Sequence, residues 1–208
     1  MIKSASEIRS AARAALSGHW AEAAMLTFVY CIVAWAFSAL VGGLEYVQQG
    51  LGTVATLLML PLSWGYTVTF LSNARGENDP FNVSRIFDGY KDFGRIFITI
   101  LLMQVYTFLW TLLFIIPGII KSLSYAMTPF VLRDNPEMKN NEALELSMKM
   151  MDGHKGDLFW LYLTFIGWGI LCIFTFGIGY FWFAPYVQAS MVQFYEDVKA
   201  DYELKRER

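Results

Sequence analysis

From Leu158 to Tyr195 the chain runs for 38 residues without a charged side chain. As one helix at ~1.5 Å per residue, that stretch would measure roughly 57 Å, nearly twice the hydrocarbon thickness of a bilayer, so it must fold back on itself. The place is "FGIGY", where Gly177 and Gly179 tolerate a tight turn, giving spans near 157–175 and 180–197. Ala23–Gly43, Gly50–Asn73 and Ile96–Ile120 are also free of charge, and each is long enough for the roughly 20 apolar helical residues of one crossing. Of the 208 residues, 56% are hydrophobic and 16% charged, against about 25% charged in soluble domains. These features describe a polytopic, all-helical membrane protein. A net charge of −2 gives no electrostatic footing for a nucleic-acid partner.

The apolar run behind Lys3, Arg9 and Arg13 is longer than the ~7 to 15 residues of a cleavable signal, so the first span is expected to remain as an anchor. Cys31 and Cys172 fall inside apolar runs, where cysteine behaves as a small hydrophobe.

Topology turns on residues 112–134, "LLFIIPGIIKSLSYAMTPFVLRD". Read as one helix, 95–133 would again be about 58 Å long. Pro117 removes a helical hydrogen bond and Gly118 weakens the same turn, which predicts a reversal at Pro117-Gly118 and a short fourth span over 118–133, either crossing or re-entrant. Lysine and arginine concentrate in cytoplasmic segments. With this reversal, 15 of the 16 basic residues fall on one side, and the turns near 44–50, 116–118 and 175–180 hold none. A single crossing would put Arg133, Lys139, Lys149 and Lys155 on the other side. Spans are therefore expected near 22–43, 51–72, 95–116, 118–133, 157–175 and 180–197, with both termini cytoplasmic. Trp20, Tyr46, Trp160, Tyr180 and Trp182 lie near the span ends as interfacial anchors.

Three cytoplasmic segments resemble one another: "RAALSGHW", "SRIFDGYK" and "KMMDGHKG". Each ends an amphipathic piece at a glycine, Gly18, Gly89 or Gly153, and leads into a span. Ile8, Ala11, Ala12, Ala15 and Leu16 form one stripe, with Ser4 and Glu7 spaced as a capping box. Ala143, Leu144, Ser147, Met148 and Met151 form another; Val83, Ile86, Phe87 and Tyr90 make a shorter third. Such stripes suit helices lying at the interface, each closed by a glycine at C′. The expected architecture is a transmembrane six-helix bundle of three helical hairpins with short amphipathic interfacial helices on the cytoplasmic side. It forms a single integral membrane domain over 1–208, with possible internal repeats 1–73, 74–137 and 138–208. Convergence of short interfacial linkers on similar composition would give the same pattern without a repeat.

"LLFIIPGIIKSLSYAMTPFVLRDNP", "ALELSMKMMDGHKGDLFWLYLTFIGWGIL", "FGIGYFWFAPYVQASMVQFYED" and "RGENDPFNVSRIFDGYKDF" closely resemble the bacterial integral membrane proteins grouped as domain of unknown function 975. The likeness runs from about Pro61 to Tyr202; the first 60 residues match only in outline. The "PGII" turn and the helix before "DGHK" are more distantly similar to the membrane domain of some glycerophosphodiester phosphodiesterases. The resemblance implies a bacterial inner membrane location and brings no catalytic residue with it.

His19 and His154 lack a second His or Cys at ligand spacing, and neither a nucleophile elbow nor a phosphate-binding loop is present. No catalytic residue, cofactor or metal is expected. The polar residues within the spans are the remaining lead. Gln104, Thr107 and Thr111 share one face of the third span, and Lys121, Tyr125 and Thr128 one face of the fourth. Brought together they would line a polar cleft whose fixed charge is Lys121, suited to an anionic headgroup or a small anion. The simpler reading makes the hydroxyls hydrogen-bonding glue between helices and lets Lys121 snorkel to the headgroups. The expected role is a non-catalytic accessory or interaction protein engaging membrane lipids or a protein partner at the cytoplasmic face. The alternative is a transporter or channel for a small, possibly anionic or lipidic, solute.

Overall fold

A computed structural model describes residues 2–45, 57–77 and 81–207. Among them it contains no strand and nine α-helices. These are α1 (Ala5–Ala15), α2 (Trp20–Glu45), α3 (Leu60–Ala74), α4 (Phe93–Leu113), α5 (Ile115–Tyr125), α6 (Thr128–Asp134), α7 (Asn141–Met150), α8 (Lys155–Phe174) and α9 (Tyr180–Arg206), with a 3-10 helix at Val83–Tyr90 between α3 and α4. Within the described residues, four stretches are long and apolar enough to cross a membrane: Trp20–Ala39, Phe93–Leu113, Ile115–Asp134 and Lys155–Phe174. Four of the six expected spans are thus matched among the described residues, and the six-helix bundle of three hairpins is not confirmed. The start of the expected second span at 51 and the turn near 44–50, with Tyr46, fall largely outside the described residues. In α9, tyrosine, glutamine and Pro185 dilute the apolar half, and charge fills the rest.

The large apolar side chains divide into two populations. Those of α2 at Met25, Phe28, Ile32 and Trp35, those around the α4–α5 link, and those from Trp168 to Trp182 are exposed. Side chains nearer the charged helix ends, such as Leu16, Phe70, Phe130, Val131, Phe194 and Tyr195, are fully buried in one cluster. An exposed apolar patch of this extent needs a non-aqueous neighbour, and a bilayer provides one.

The reversal in the middle of the chain is present, three residues earlier than expected. Phe114, at φ −156° and ψ 139°, is an extended link between α4 and α5. Pro117 then sits in the first turn of α5, where the missing N–H would have had no helical acceptor. Gly118 packs against the outgoing helix α4 so closely that a Cβ there would lie 2.6 Å from Thr111 Cα. The second break, between α5 and α6, precedes Pro129, which occupies the first turn of α6.

The leader stripes are occupied by protein rather than lipid. α1 has its capping box, Ser4 with Glu7, and buries Ile8, Ala12 and Leu16 in an extensive contact with α9. α7 buries Ala143, Leu144, Ser147 and Met150, and Ser147 Oγ donates to the Ser124 carbonyl of α5 at 2.8 Å. These helices have amphipathic patterns because they cover the bundle, and full burial stabilises each large aliphatic by ~1.5–3 kcal/mol.

The middle leader differs from the other two. Gly18 and Gly153 adopt φ +85° and +83°, the left-handed closure expected, whereas Gly89 has no positive φ. The 3-10 helix lies against α3, and a Cβ on Gly89 would stand 2.2 Å from the Pro61 carbonyl oxygen. Reciprocally, a Cβ on Gly65 of α3 would stand 2.1 Å from the Ile86 oxygen. Glycine is required there for approach rather than for dihedral angle. The α8–α9 turn is built as expected: Phe176 and Gly177 are left-handed, and the Gly179 N–H donates to Thr175 Oγ1 at 3.0 Å.

Candidate functional site

Four of the six polar-cleft residues meet. Gln104, Thr107 and Thr111 of α4 and Tyr125 of α5 line an open groove of about 580 Å³ together with Ser122, Pro129 and Tyr162. The other two, Lys121 and Thr128, are not in its lining. The Lys121 ammonium sits over the rings of Trp110 and Tyr125, 5.2 and 5.9 Å from their centroids, and 3.6 Å from Met148 Sδ. Thr128 is fully buried, and its Oγ1 has no hydrogen-bond partner among the described residues. The groove lining therefore carries no fixed charge.

The hydroxyls are satisfied mostly within their own helices. Thr107 Oγ1 donates to the Met103 carbonyl at 2.8 Å and Thr111 Oγ1 to the Thr107 carbonyl at 2.7 Å; Ser63, Thr67 and Ser190 do the same. Back-bonding of this kind removes the need for a partner across the interface. Bonds that do cross between helices include Thr27–Tyr66 at 2.9 Å and Ser147 to Ser124.

The strongest electrostatic feature lies at the charged end. Asp134, at the last position of α6, has a side chain only 7% exposed. It accepts a two-pronged contact from Arg75 at 2.6 and 2.7 Å, the Lys199 ammonium at 2.6 Å and the Tyr195 hydroxyl at 2.8 Å. Arg75 Nε donates to Glu196 at 2.8 Å. Hydrogen bonding to Asp134 raises the guanidinium further above its already high range. Beside it, Glu77 bridges Arg85 and Arg133. The bond from Arg85 holds the Glu77 carboxyl below its ordinary range despite partial burial. Arg95 closes the end of α6, donating to the carbonyls of Leu132, Asn135 and Met138. Lys3–Asp197 and His154–Asp201 complete the layer. Basic residues from four separate segments thus gather at one end. Among the described residues, no cluster of His, Cys, Asp or Glu could hold a metal.

Beside this layer, α7 and the charged half of α9 enclose a groove of about 500 Å³. Leu146, Met150 and Tyr202 form its inner wall, and Glu142, Glu145 and Glu203 stand exposed around it together with Lys149 and Arg206. Sequence reasoning missed both the groove and the Asp134 node. One signal for the node was available: an aspartate directly ending an apolar span at "VLRD" needs cations nearby, and "FYED" and Arg75 are the spans' other charged flanks.

Residues 1–124 and 112–202 match the family described as Protein of unknown function (DUF975). The chain belongs to this family. As a DUF975 member it is similar to the family along nearly its whole length, including the first 60 residues, where the likeness had looked only general. No curated protein and no solved structure matches the chain. None of these comparisons shows the distant likeness to phosphodiesterase membrane domains.

Proposed function

We propose that this DUF975 protein is a non-catalytic accessory protein of a bacterial inner membrane, engaging lipid or a protein partner at its cytoplasmic face. In this reading the chain is one domain of three leader-plus-hairpin units, and both termini are cytoplasmic. The observation that carries it is the groove between α7 and α9. Its apolar wall and its rim of mixed charge, Glu142, Glu145 and Glu203 with Lys149 and Arg206, open at the one end where basic segments gather, and that end is braced by ion pairs around Asp134. Gathering of lysine and arginine at one end supports its cytoplasmic placement. The stripes on α1 and α7 are buried against the bundle and offer no docking surface, so the groove takes that role.

The test is whether the full-length chain forms a stoichiometric complex in its native membrane that is lost on Leu146→Asp while the bundle still melts cooperatively. A complex indifferent to that substitution counts against the groove.

A second reading, passage of a small solute, is favoured by the helix break at Ala126-Met127 beside the Gln104–Tyr125 groove, since broken helices flank the sites of many transporters. Proteoliposomes decide between the two. Chloride or phosphate flux that disappears with Gln104→Leu would overturn the accessory reading. With Lys121 outside that groove, Lys121→Met is expected to leave any flux unchanged.

A further inference from the structure

Arg9 and Arg13 stand one turn apart on α1, and neither has a carboxylate partner among the described residues. Their neighbours differ: Lys3 pairs with Asp197, Arg75 with Asp134 and Glu196, Arg133 with Glu77, and Lys199 with Asp134. Arg9 Nε is moreover buried without any acceptor. Leaving a buried donor unmet costs ~1–3 kcal/mol, and two like charges at i, i+4 add a smaller penalty. An anion near both would remove both costs.

The surroundings indicate what kind of anion. Arg13 and Tyr186 border one crease, and Arg9 stands one turn back along α1. From Arg13 a crease of about 390 Å³ runs between α8 and α9, walled by Trp20, Trp168, Leu171, Trp182 and Phe183 and lined by no acidic residue. Trp168 and Trp182 are 53% and 51% exposed, within the apolar population that faces the bilayer. Cations at one end and an open, almost wholly apolar channel at the other match an amphiphile. Guanidinium suits phosphate, which it can grip with two parallel hydrogen bonds. With no carboxylate to receive a choline or ethanolamine cation, a headgroup of net negative charge is favoured.

We propose that this crease binds one anionic phospholipid, its phosphate held by Arg9 and Arg13 and an acyl chain lying along Trp168, Leu171 and Trp182. The site is separate from the α7–α9 groove, so failure of either leaves the other intact.

The experiment uses the full-length chain in phosphatidylcholine nanodiscs doped with acyl-brominated phosphatidylglycerol or acyl-brominated phosphatidylcholine, reading tryptophan quenching. Quenching by the glycerol lipid is expected to half-saturate at about tenfold lower mole fraction, equivalent to ~1.4 kcal/mol. In Arg9→Gln/Arg13→Gln the two lipids should quench alike, whereas Arg9→Lys/Arg13→Lys keeps most of the preference. Equal quenching of the unmodified chain by both lipids would mean ordinary annular contact and overturn the site. A preference that survives the glutamine pair would do so as well. Should that pair fail to fold, Cys172→Phe, which fills the crease and leaves the arginines in place, must weaken the preference; an unchanged preference overturns the proposal.

Discussion

Arg75 and Asp134, 59 residues apart, meet through two hydrogen bonds of 2.6 and 2.7 Å. Between them the chain leaves along α4 and returns along α5 and α6, so the pair fixes an out-and-back path. A single crossing at 95–133 would separate these residues by the thickness of a membrane. The contact ties the ends of α3 and α6 to α9 through Lys199 and Tyr195.

Asp134→Asn is expected to be among the most damaging conservative changes in the molecule. It leaves Arg75 and Lys199 converging on a neutral amide, and breaking a buried charge cluster by removing one partner costs roughly 3 kcal/mol or more. Thermal unfolding in detergent should show a clear fall in midpoint. Lys91→Gln, whose pair with Asp88 is exposed, should change it by less than about 0.5 kcal/mol.

The glycines divide just as sharply. Gly65→Ala and Gly89→Ala each drive a methyl into a backbone carbonyl, at 2.1 and 2.2 Å. Neither carbonyl belongs to a flexible side chain, so the 3-10 helix must lift from α3 at a cost near or above the ~1–3 kcal/mol of ordinary overpacking. Gly94→Ala and Gly156→Ala meet nothing within 4 Å and lie in helices, where alanine is favoured by up to ~1 kcal/mol. Melting the four variants side by side tests the contrast; equal behaviour would count against the packing of the 3-10 helix on α3.

The elements were legible in the sequence where a local rule decides them. Ser4 and Glu7 cap α1, Gly18 and Gly153 close their leaders, and "FGIGY" turns, because each depends on a few neighbouring residues. Pro117 misled by three positions because proline fits the first turn of a helix as readily as it breaks the last. What covers a stripe is not local information. Ile8, Ala12 and Leu16 have the same spacing whether lipid or α9 lies against them, and α9 is nearly two hundred residues away in sequence. The same holds for Lys121. Its helical face suggested a cleft with Gln104; the tertiary fold sets its ammonium over Trp110 and over Tyr125, which lines the Gln104 groove, while Lys121 itself is not in the lining.

Acid should loosen the end of α9. Hydrogen bonds from Lys205 and His154 hold the Asp201 carboxyl at about 2, below its ordinary 3.8, against the opposing effect of burial. A carboxylate depressed in the folded state contributes stability that is fully present above its unfolded value and lost as pH falls through the folded one. The expected loss therefore lies between about pH 4 and pH 2. In Asp201→Asn this contribution is absent at every pH, so its melting temperature should start lower and fall less steeply over that window. Parallel curves for the two proteins would exclude Asp201 as a source of the acid limb.

Sidedness is the most consequential expectation, since the functional reading needs the Asp134 end to face the cytoplasm. With Cys31 and Cys172 replaced by alanine, single cysteines at Phe114 and Ile178 occupy the α4–α5 link and the α8–α9 turn, both exposed. Cysteines at Lys139 and Glu145 occupy exposed positions at the charged end. A membrane-impermeant maleimide added to intact cells should label the first two, and the second two only after permeabilisation. The reverse pattern would keep the fold and invert the protein, moving the α7–α9 groove to the outside. Labelling of Lys139 and Phe114 from the same side would contradict the path from Arg75 to Asp134 itself, because the α4–α5 hairpin would then fail to cross.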